Sequence, residues 1–202
     1  MIKVKGTKGY SEHTERFIEA TVAIDFKELH RSFFKYIPTK PSRVLDVGAG
    51  IGRDASALSE MGHSVVAVEP TAAFRAVAKK LYDSPNIEWL NDSLPMLSMI
   101  DFSPQQFGFV LASGVWHHLD KTEQQKAMSR IARLLCPNGI FALSLRHGPP
   151  GVGTHVFPTN AQKTIEYAEA CGLTVHFSGA NQPSLLKGKE SVTWTRLVFA
   201  KA

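Results

Sequence analysis

The stretch VLDVGAGIG, residues 44–52, places a short apolar run directly before a loop with three glycines, and a helical pattern follows at once. An apolar run of this length is typical of a buried strand. Glycines permit tight backbone geometry and the close approach of a ligand, and the first turn of the next helix offers unpaired N–H groups to an anion. The stretch therefore predicts either a ligand-binding turn or, as the simpler alternative, only a tight turn.

The spacing of the glycines bears on the kind of ligand. The dinucleotide fingerprint G-x-G-x-x-G needs a small residue at the position that Arg53 occupies in this chain. From Asp46 to Gly52 the loop instead reads D-x-G-x-G-x-G. This difference disfavours a nicotinamide-dependent oxidoreductase.

Outward from the loop, short β-rich runs alternate with helical patterns over residues 53–61, 71–82 and 122–135. Capping boxes are predicted at Asp120 with Glu123 and at Thr159 with Gln162. This alternation predicts an α/β fold with parallel βαβ units, that is, a doubly wound sheet with helices on both faces. Residues 179–191 are too few for a helical crossover, so an antiparallel last strand is expected. The seven strands are expected to begin near Arg43, Ser64, Asn86, Phe107, Ile140, Leu173 and Val192.

The chain ahead of the first strand has a pattern of its own. Lys3, Lys5 and Lys8 form a basic arm, with no acidic residue among the first ten. From residue 18 to residue 37, apolar residues recur at spacings of three and four, which predicts one continuous helix ended by Pro38.

Composition narrows the class of protein. The chain has 202 residues, of which 44% are hydrophobic and 20% charged, which excludes a disordered tail, a collagen-like fibre and a disulfide scaffold. Its net charge of +5 is mild, and no run of five like charges suggests a polyanion-binding tail. The two cysteines favour a reducing compartment. Because neither a signal-peptide pattern nor a bilayer-spanning apolar run is evident, we expect a cytoplasmic location without membrane contact.

Polar side chains stand where successive predicted strands end. Glu69 closes the second strand, where a carboxylate can accept both hydroxyls of a ribose. Asp92 lies at the end of the third strand, and Ser113 at the end of the fourth. Ligands of open α/β sheets bind at the carboxyl ends of the strands, so these residues predict one site with the glycine loop. For Asp92, a purely structural role in the strand-end turn is the alternative.

Over roughly residues 40–200 the chain resembles the class I S-adenosylmethionine-dependent methyltransferases. The loop at residues 44–52 and the strand VVAVE at residues 65–69 are the most specific elements; residues 110–119 and the turn LLCPNG at residues 134–139 also resemble later motifs of the family. Asn138 stands where the family commonly has glycine, and asparagine tolerates a left-handed backbone.

The resemblance implies a Rossmann-like, seven-stranded, mostly parallel sheet and one methyltransferase domain over residues 1–202. Residues 1–40 would form the basic arm and a helical lid, and residues 41–202 the cofactor-binding core. The implied cofactor is S-adenosylmethionine, with S-adenosylhomocysteine as product.

The resemblance also implies a role for each matching residue. The glycine loop would approach the methionine part of the cofactor, and Asp46 would hold its ammonium group directly or through water. Glu69 would bind the ribose hydroxyls, Asp92 would accept from the adenine amino group, and the Ser93 N–H would face a ring nitrogen. The expected cofactor-binding residues are Asp46, Gly48, Gly50, Gly52, Glu69, Pro70, Asp92, Ser93 and Ser113.

The acceptor of the methyl group would lie beyond the fourth and fifth strands. His117 and His147 are the candidate general bases, and Trp116 and Arg146 the candidate substrate-binding residues. Each has a simpler alternative, since Trp116 is equally compatible with the core and a base is needed only if the acceptor loses a proton. His118 is expected to be packed and hydrogen-bonded. Lys187 and Lys189 form either part of a positive mouth or merely a solvated loop.

Missing motifs favour a small-molecule acceptor, and the positive mouth would suit an anionic one. The N-P-P-Y or D-P-P-Y segment of amino-methylating enzymes is not found after the fourth strand, and neither Cys136 nor Cys171 is placed to attack a cytosine ring. No metal-ligand spacing is present, so no metal is expected. A non-catalytic cofactor-binding protein and an RNA or protein methyltransferase stay open as alternatives, although a nucleic-acid partner is not expected. The sequence does not predict the oligomeric state.

Overall fold

The strand VLDV lies in the middle of a seven-stranded sheet. A computed structural model describes residues 4–101, 103, 106–186 and 188–202. The strand order is β3-β2-β1-β4-β5-β7-β6. The strands are β1 Arg43–Val47, β2 Ser64–Val68, β3 Ile87–Leu90, β4 Phe107–Ala112, β5 Leu135–His147, β6 Leu173–Pro183 and β7 Thr193–Lys201.

The directions of the strands confirm the predicted fold class. Strands β1 to β5 pair in parallel, whereas β7 runs antiparallel to both β5 and β6. The sheet is therefore the Rossmann-like, doubly wound arrangement with an antiparallel last strand. Strand β6 continues to Pro183, five residues into the segment predicted as a loop, with irregular register around residues 179–182.

Helices cover both faces of the sheet. Helices α2 and α3 contact each other over β1 and β2, and α5 and α6 contact each other beside β5, β6 and β7. Side-chain alternation divides the core accordingly, because Val44 packs on the face with Phe33 and Leu58 while Leu45 packs on the face with Met128. None of the described helices is long and apolar enough to cross a membrane. The helices are α1 Thr14–Thr21, α2 Phe26–Leu29, α3 Arg53–Glu60, α4 Ala72–Leu81, α5 Lys121–Leu134 and α6 Ala161–Glu169.

The prediction of one continuous helix over residues 18–37 is wrong. The segment contains α1, α2 and a 3₁₀ turn at Phe34–Tyr36. The break comes at Asp25, whose backbone is extended (φ −62°, ψ 133°) and whose carboxylate accepts the N–H of Glu28 at 2.7 Å. An aspartate in this arrangement starts a new helix, so the apolar spacing continues while the helix axis does not. Lys3 of the basic arm lies outside the described residues.

Of the two predicted capping boxes, one is present in the structure and one is not. The capping box of Asp120 and Glu123 is confirmed, with both hydrogen bonds formed. The box of Thr159 and Gln162 is wrong, because Asn160 caps α6 by accepting the N–H of Lys163 at 2.9 Å. Thr159 instead donates its hydroxyl to the carbonyl of Arg146 at 2.9 Å. This bond ties the start of α6 to the end of β5.

The turn that leads into the regular part of β5 uses a left-handed residue. The register between β4 and β5 shifts between Phe107 and Phe109, so residues 136–139 bulge from the ladder. Asn138 has φ +60° there, which confirms that asparagine can stand at this position.

Candidate functional site

A cavity of about 780 Å³ opens at the edge of the sheet where the parallel strands end. Its walls come from the ends of β1, β2, β4 and β5, from the N-terminal segment that begins at residue 4, and from residues 184–196. Because β7 runs the opposite way, its first residues reach the same edge as the last residues of its neighbours. Ligands of this class of sheet bind at that edge.

The glycine loop exposes backbone atoms, without side chains, to the cavity. Gly48 has φ +69°, and a Cβ atom there would lie 2.3 Å from Cγ2 of Val115. The N–H groups of Gly48 and Ala49 both donate to the carbonyl of Val68, at 2.8 and 3.0 Å, which fixes the loop on β2. Gly48 and Gly50 line the cavity, whereas Gly52 faces the ring of Trp89 and does not line it.

Glu69 joins the glycine loop to α4 and forms part of the cavity wall. Its Oε2 accepts the N–H of Gly50 at 3.0 Å, and its Oε1 accepts the N–H of Thr71 at 2.7 Å. Burial raises the pKa of this carboxyl group. Each carboxylate oxygen can accept more than one hydrogen bond, so both can still receive a ligand hydroxyl. Pro70 lines the cavity beside it.

Asp46 lies beneath the loop and does not line the cavity. Its carboxylate is hydrogen-bonded by the backbone N–H of Ala55, while Oδ2 has no partner among the described residues. Burial, together with the nearby charge of Asp54, raises the pKa of Asp46 well above its usual range. Asp54 is instead paired with His30 and Arg53, at 2.9 and 2.7 Å. Asp46 is thus the unpaired member of two adjacent buried carboxylates.

The predicted adenine end contains one residue on the cavity and one behind it. Ser93 lines the cavity, as do Leu94 and Pro95. Asp92 does not; its two oxygens accept the N–H groups of Ser93 at 2.8 Å and of Met99 at 2.6 Å. The side chain therefore organises the turn after β3.

The end of β4 contributes Ser113 and Gly114 to the wall. The N–H of Gly114 donates to Oγ of Ser144, at 2.8 Å, which ties this turn to β5. Ser113 therefore lines the cavity next to a turn that is fixed on β5.

Of the two candidate bases, only His117 lines the cavity. It is buried, and its Nδ1 has no partner among the described residues. Burial, followed by the positive potential of His118 and Arg146, holds the pKa of His117 well below its usual range. His117 is consequently neutral at pH 7 and able to accept a proton.

His147 lies off the cavity. Successive residues of a strand point to opposite faces, so Arg146 lines the cavity and His147 points the other way. Its Nε2 forms a hydrogen bond with Oγ1 of Thr195, at 2.9 Å. The structure therefore does not bring His147 to the cavity that Arg146 lines.

The structure places Trp116 in the core, which is one of the two alternatives stated for it, and not on the cavity. It is fully buried and belongs to the core, with its ring 6.0 Å from that of Phe141. The 3₁₀ turn Trp116–His118 turns Trp116 inward while its two histidines line the cavity. The tryptophan that does line the cavity is Trp194, near the start of β7.

Comparison with known proteins agrees with this geometry. A family model described as a methyltransferase domain matches residues 45–143, from β1 into β5. An uncharacterized methyltransferase of Oceanobacillus iheyensis is 25% identical over 118 residues, which are 57% of this chain and 52% of that protein. The chain spans about half the length of the curated relatives it matches.

Two solved structures extend the likeness over nearly the whole chain. A TehB-like SAM-dependent methyltransferase from Corynebacterium glutamicum has a TM-score of 0.67 and 24% identity, covering 96% of this chain and 98% of that one. Phosphoethanolamine N-methyltransferase 2 of Haemonchus contortus has a TM-score of 0.74 and 18% identity, covering 100% and 60%. This chain therefore contains a methyltransferase domain over residues 45–143, within the fold of the S-adenosylmethionine-dependent methyltransferases.

The residues around this cavity fit S-adenosylmethionine as a cofactor. Gly48 leaves no room for a side chain and so exposes backbone, and Glu69 lies on the wall with acceptor capacity for a diol. The orphan Oδ2 of Asp46, directly beneath the loop, is a buried acceptor without a donor. Backbone groups, a diol acceptor and an unpaired carboxylate are what a nucleoside with a charged amino-acid tail requires.

Tyr10 and His118 form a hydrogen-bonded pair in the cavity wall, and of the two only Tyr10 was missed by the sequence analysis. Tyr10 donates its hydroxyl to Nε2 of His118 at 3.0 Å, and Nδ1 of His118 donates to the carbonyl of His155 at 2.7 Å. Burial, followed by the charge of Glu69, raises the pKa of Tyr10 to about 12, so the phenol stays a donor. The prediction that His118 is hydrogen-bonded and packed is confirmed.

Aromatic and backbone contacts hold the N-terminal segment of the methyltransferase in place. The ring of Tyr10 meets those of Phe17 and Phe74 edge-on, at 5.6 and 5.8 Å, and these two stack at 4.7 Å. The carbonyl of Lys8 accepts the N–H of Thr154 at 3.2 Å. Nothing near Tyr10 in the sequence identifies its distant partners.

Charge is unevenly distributed around the cavity of the methyltransferase. The carboxylates of the described wall are Glu69 and Glu123, and Glu123 is occupied in the cap of α5. Lys187 lies outside the described residues. Among the described residues, no group of three or more His, Cys, Asp or Glu side chains could hold a metal ion. The cationic side chains of the wall are Lys5, Arg16, Arg53, Arg146, Lys189 and Arg196.

Proposed function

We propose that this protein transfers a methyl group from S-adenosylmethionine to a small-molecule acceptor that carries a negative charge. One observation carries the proposal: a single cavity contains the glycine loop with Glu69 and also a wall of lysine and arginine side chains. A cofactor and an acceptor bound in one cavity would be held in contact, and this alignment is the main requirement of a displacement reaction.

The cofactor would occupy the end formed by β1, β2 and β4. When bound, S-adenosylmethionine supplies a methyl group activated by a sulfonium. Gly48 and Gly50 would hold its amino-acid part, Asp46 beneath the loop would attract its ammonium group directly or through water, and Gly52 would allow the close contact with Trp89. Ser113 would stand near the reacting centre. The ribose and adenine would meet Glu69, Pro70 and Ser93, while Asp92 would fix the turn that presents Ser93.

The acceptor would occupy the other end, whose wall contains Arg146, Lys189 and Arg196. Arg146 is oriented by donating from Nη1 to the carbonyl of Gly148 at 3.1 Å, and its remaining donors can bind an oxyanion. His117 would take up a proton through its unpartnered Nδ1 if the acceptor loses one on methylation. The pair Tyr10 and His118, together with Phe17, would exclude water from both ligands.

A neighbour of the same fold supports an acceptor of this class. The Haemonchus contortus structure contains phosphomonomethylethanolamine with S-adenosylhomocysteine. That acceptor is a small molecule with a phosphate group, so this fold accommodates a charged acceptor beside the cofactor.

The proposal is tested first at the cofactor end by calorimetry with S-adenosylhomocysteine. We expect Glu69→Ala to raise the Kd about a hundredfold, because two hydrogen bonds to a charged group are lost. Glu123→Ala is the control, since it removes the other carboxylate of the wall and should leave the Kd within about threefold. Absence of S-adenosylhomocysteine binding by the unsubstituted protein would contradict the proposal.

The second test is methyl transfer to a panel of small carboxylates and phosphates, each paired with a neutral isostere. Transfer to the charged member of a pair supports the proposal. Transfer only to neutral compounds would refute the charged acceptor, and binding without transfer to any compound would favour a non-catalytic binding protein. Transfer only to RNA or to a protein would refute a small acceptor.

A further inference from the structure

Arg196 is a buried guanidinium group in the wall of the cavity. It is 5% exposed, and its Nε has no hydrogen-bond partner among the described residues. Buried donors in native proteins nearly always have partners, and a charged one without a partner is costly. An orphan donor of this kind, in a cavity wall, indicates a ligand that supplies the missing acceptor.

The orientation of the guanidinium is fixed from one side only. Its Nη1 donates to Oε1 of Gln182 at 2.8 Å, and the same oxygen accepts the hydroxyl of Ser32 at 2.6 Å. These bonds tie Arg196 to the end of β6 and to the turn after α2. The edge formed by Nε and Nη2, which is the edge that binds carboxylates and phosphates in a forked arrangement, points away from Gln182.

The charges around Arg196 favour an anion. Among the described residues Arg196 forms no ion pair. Burial, together with the nearby charge of Arg31, lowers the pKa of Arg196 to about 10, so the group is still charged at pH 7. A buried positive charge beside a second positive charge is stabilised when an anion binds.

Strand register places Arg196 at the acceptor end. Arg196 lies opposite Ser144 and Trp194 lies opposite Arg146, so Arg146 and Arg196 are diagonal neighbours on one face of the sheet. Diagonal neighbours of this kind are typically about 7–8 Å apart, a span that one small ligand can bridge. Trp194 offers an apolar surface between them on the same face.

We propose that Arg196 is the anchor for an oxyanion group of the acceptor, a carboxylate or a phosphate on an apolar body, bound through its Nε–Nη2 edge. This inference rests on the proposed function, and it adds the residue that selects the acceptor. In this arrangement Arg146 would lie nearer the cofactor and Arg196 nearer α2. Trp194 would contact the apolar body of the acceptor.

The test uses sodium benzoate and inorganic phosphate as probes, titrated by calorimetry at constant ionic strength with and without S-adenosylhomocysteine. The probe that binds more tightly identifies the group as carboxylate or phosphate. We expect Arg196→Met to raise the Kd of that probe about tenfold or more, and Arg196→Lys to raise it by a similar factor because the fork is lost.

Arg31→Met is the matched control, because it removes a neighbouring charge that is not in the cavity wall. We expect it to change the Kd less than threefold. An equal loss in Arg31→Met and Arg196→Met would indicate general electrostatic attraction and would overturn the inference, as would failure of both probes to bind the unsubstituted protein.

Two further readouts keep the test decisive. If Arg196→Met does not fold, crystals of the unsubstituted protein soaked with the tighter probe should place its oxygens at Nε of Arg196; density elsewhere in the cavity would overturn the inference. Normal binding of S-adenosylhomocysteine without binding of either probe would refute the anchor and leave the proposed function standing. Binding of a probe without binding of S-adenosylhomocysteine would refute the proposed function instead.

Discussion

The two ends of the cavity differ in how their polar groups are satisfied. At the cofactor end, Glu69 and the loop around Gly48 are joined to each other and to β2 by backbone hydrogen bonds. At the acceptor end, Nδ1 of His117 and Nε of Arg196 are buried without partners. The cofactor end is thus built largely from backbone hydrogen bonds, with Oδ2 of Asp46 as an unpartnered carboxylate oxygen beneath it, whereas the acceptor end leaves two side-chain nitrogens of its wall without partners among the described residues.

The difference also lies in where the residues come from. The loop and Glu69 lie within one βαβ unit, so local sequence is enough to build the cofactor end. The acceptor end combines the segment that begins at residue 4 with residues 146–155 and 184–196. Three predictions test whether the two ends depend on different features.

The largest expected effect is a loss of stability when a side chain is added to the glycine loop at the cofactor end. Gly48→Ala places a Cβ atom 2.3 Å from Cγ2 of Val115, on a residue with φ +69°. We expect the free energy of unfolding to fall by about 3 kcal/mol, from left-handed strain and overpacking together. Denaturant unfolding measures the change, and affinity for S-adenosylhomocysteine should fall with it.

Gly62→Ala is the control that distinguishes left-handed backbone strain from steric overlap of the added Cβ atom. Gly62 has φ +90°, but a Cβ atom there would meet nothing within 4 Å. This variant should lose only about 1 kcal/mol from left-handed strain. Equal losses in the two variants would mean that the close approach at Gly48 is unimportant.

The second effect concerns catalysis at the acceptor end. For an acceptor that loses a proton, we expect His117→Gln to lower kcat about a hundredfold while leaving the Kd of S-adenosylhomocysteine unchanged. Because burial holds the pKa of His117 well below its usual range, the wild-type rate should stay constant down to the pH at which a free imidazole titrates and should decline only in more acidic solution. Steady-state rates across the pH range measure both effects.

His147→Gln is the matched control, since His147 lies on the opposite face of β5 and bonds Thr195. Its kcat should stay within about threefold of wild type. If the two histidine variants behave alike, His117 is not the base.

The smallest expected effect distinguishes function from stability at Asp46. Burial raises the pKa of this carboxyl group in the folded state, so its ionised form at neutral pH opposes folding. Asp46→Asn should therefore raise the free energy of unfolding at pH 7 by about 1 kcal/mol, and it should weaken binding of S-adenosylhomocysteine about tenfold.

Asp54→Asn should have the opposite effect on stability. His30 and Arg53 overcome the effect of burial and hold the pKa of Asp54 below its usual range, so its ionised form stabilises the fold. Denaturant melts of both variants at pH 7 provide the comparison. A loss of stability in Asp46→Asn would mean that Asp46 has a structural role.

The sequence predicts well what depends on local pattern. The seven strand positions, the glycine loop and the place of Glu69 follow from apolar runs and turn residues that are close together in the chain. The break at Asp25 escaped the same reasoning, because an aspartate can start a new helix without disturbing the apolar spacing around it.

The acceptor end was harder to predict, for two physical reasons. Arg146 and His147 are adjacent, and a shift of one residue in a strand exchanges the faces on which they lie, so sequence alone did not separate them. Tyr10 and Arg196 reach the cavity from opposite ends of the chain. Only Arg196 has a signal in the sequence, because it is a charged residue inside the apolar strand WTRLVF, residues 194–199.

The two ends of the described chain differ in their distance from the cavity, which matters for attaching a tag. Val4 and Lys5 stand in the cavity wall, so any tag joined ahead of them emerges beside the bound ligands. Lys201 ends β7 opposite Leu173, at the far edge of the sheet. An affinity tag or fluorophore joined after Lys201 therefore starts far from the cavity, whereas one joined ahead of Val4 starts close to it.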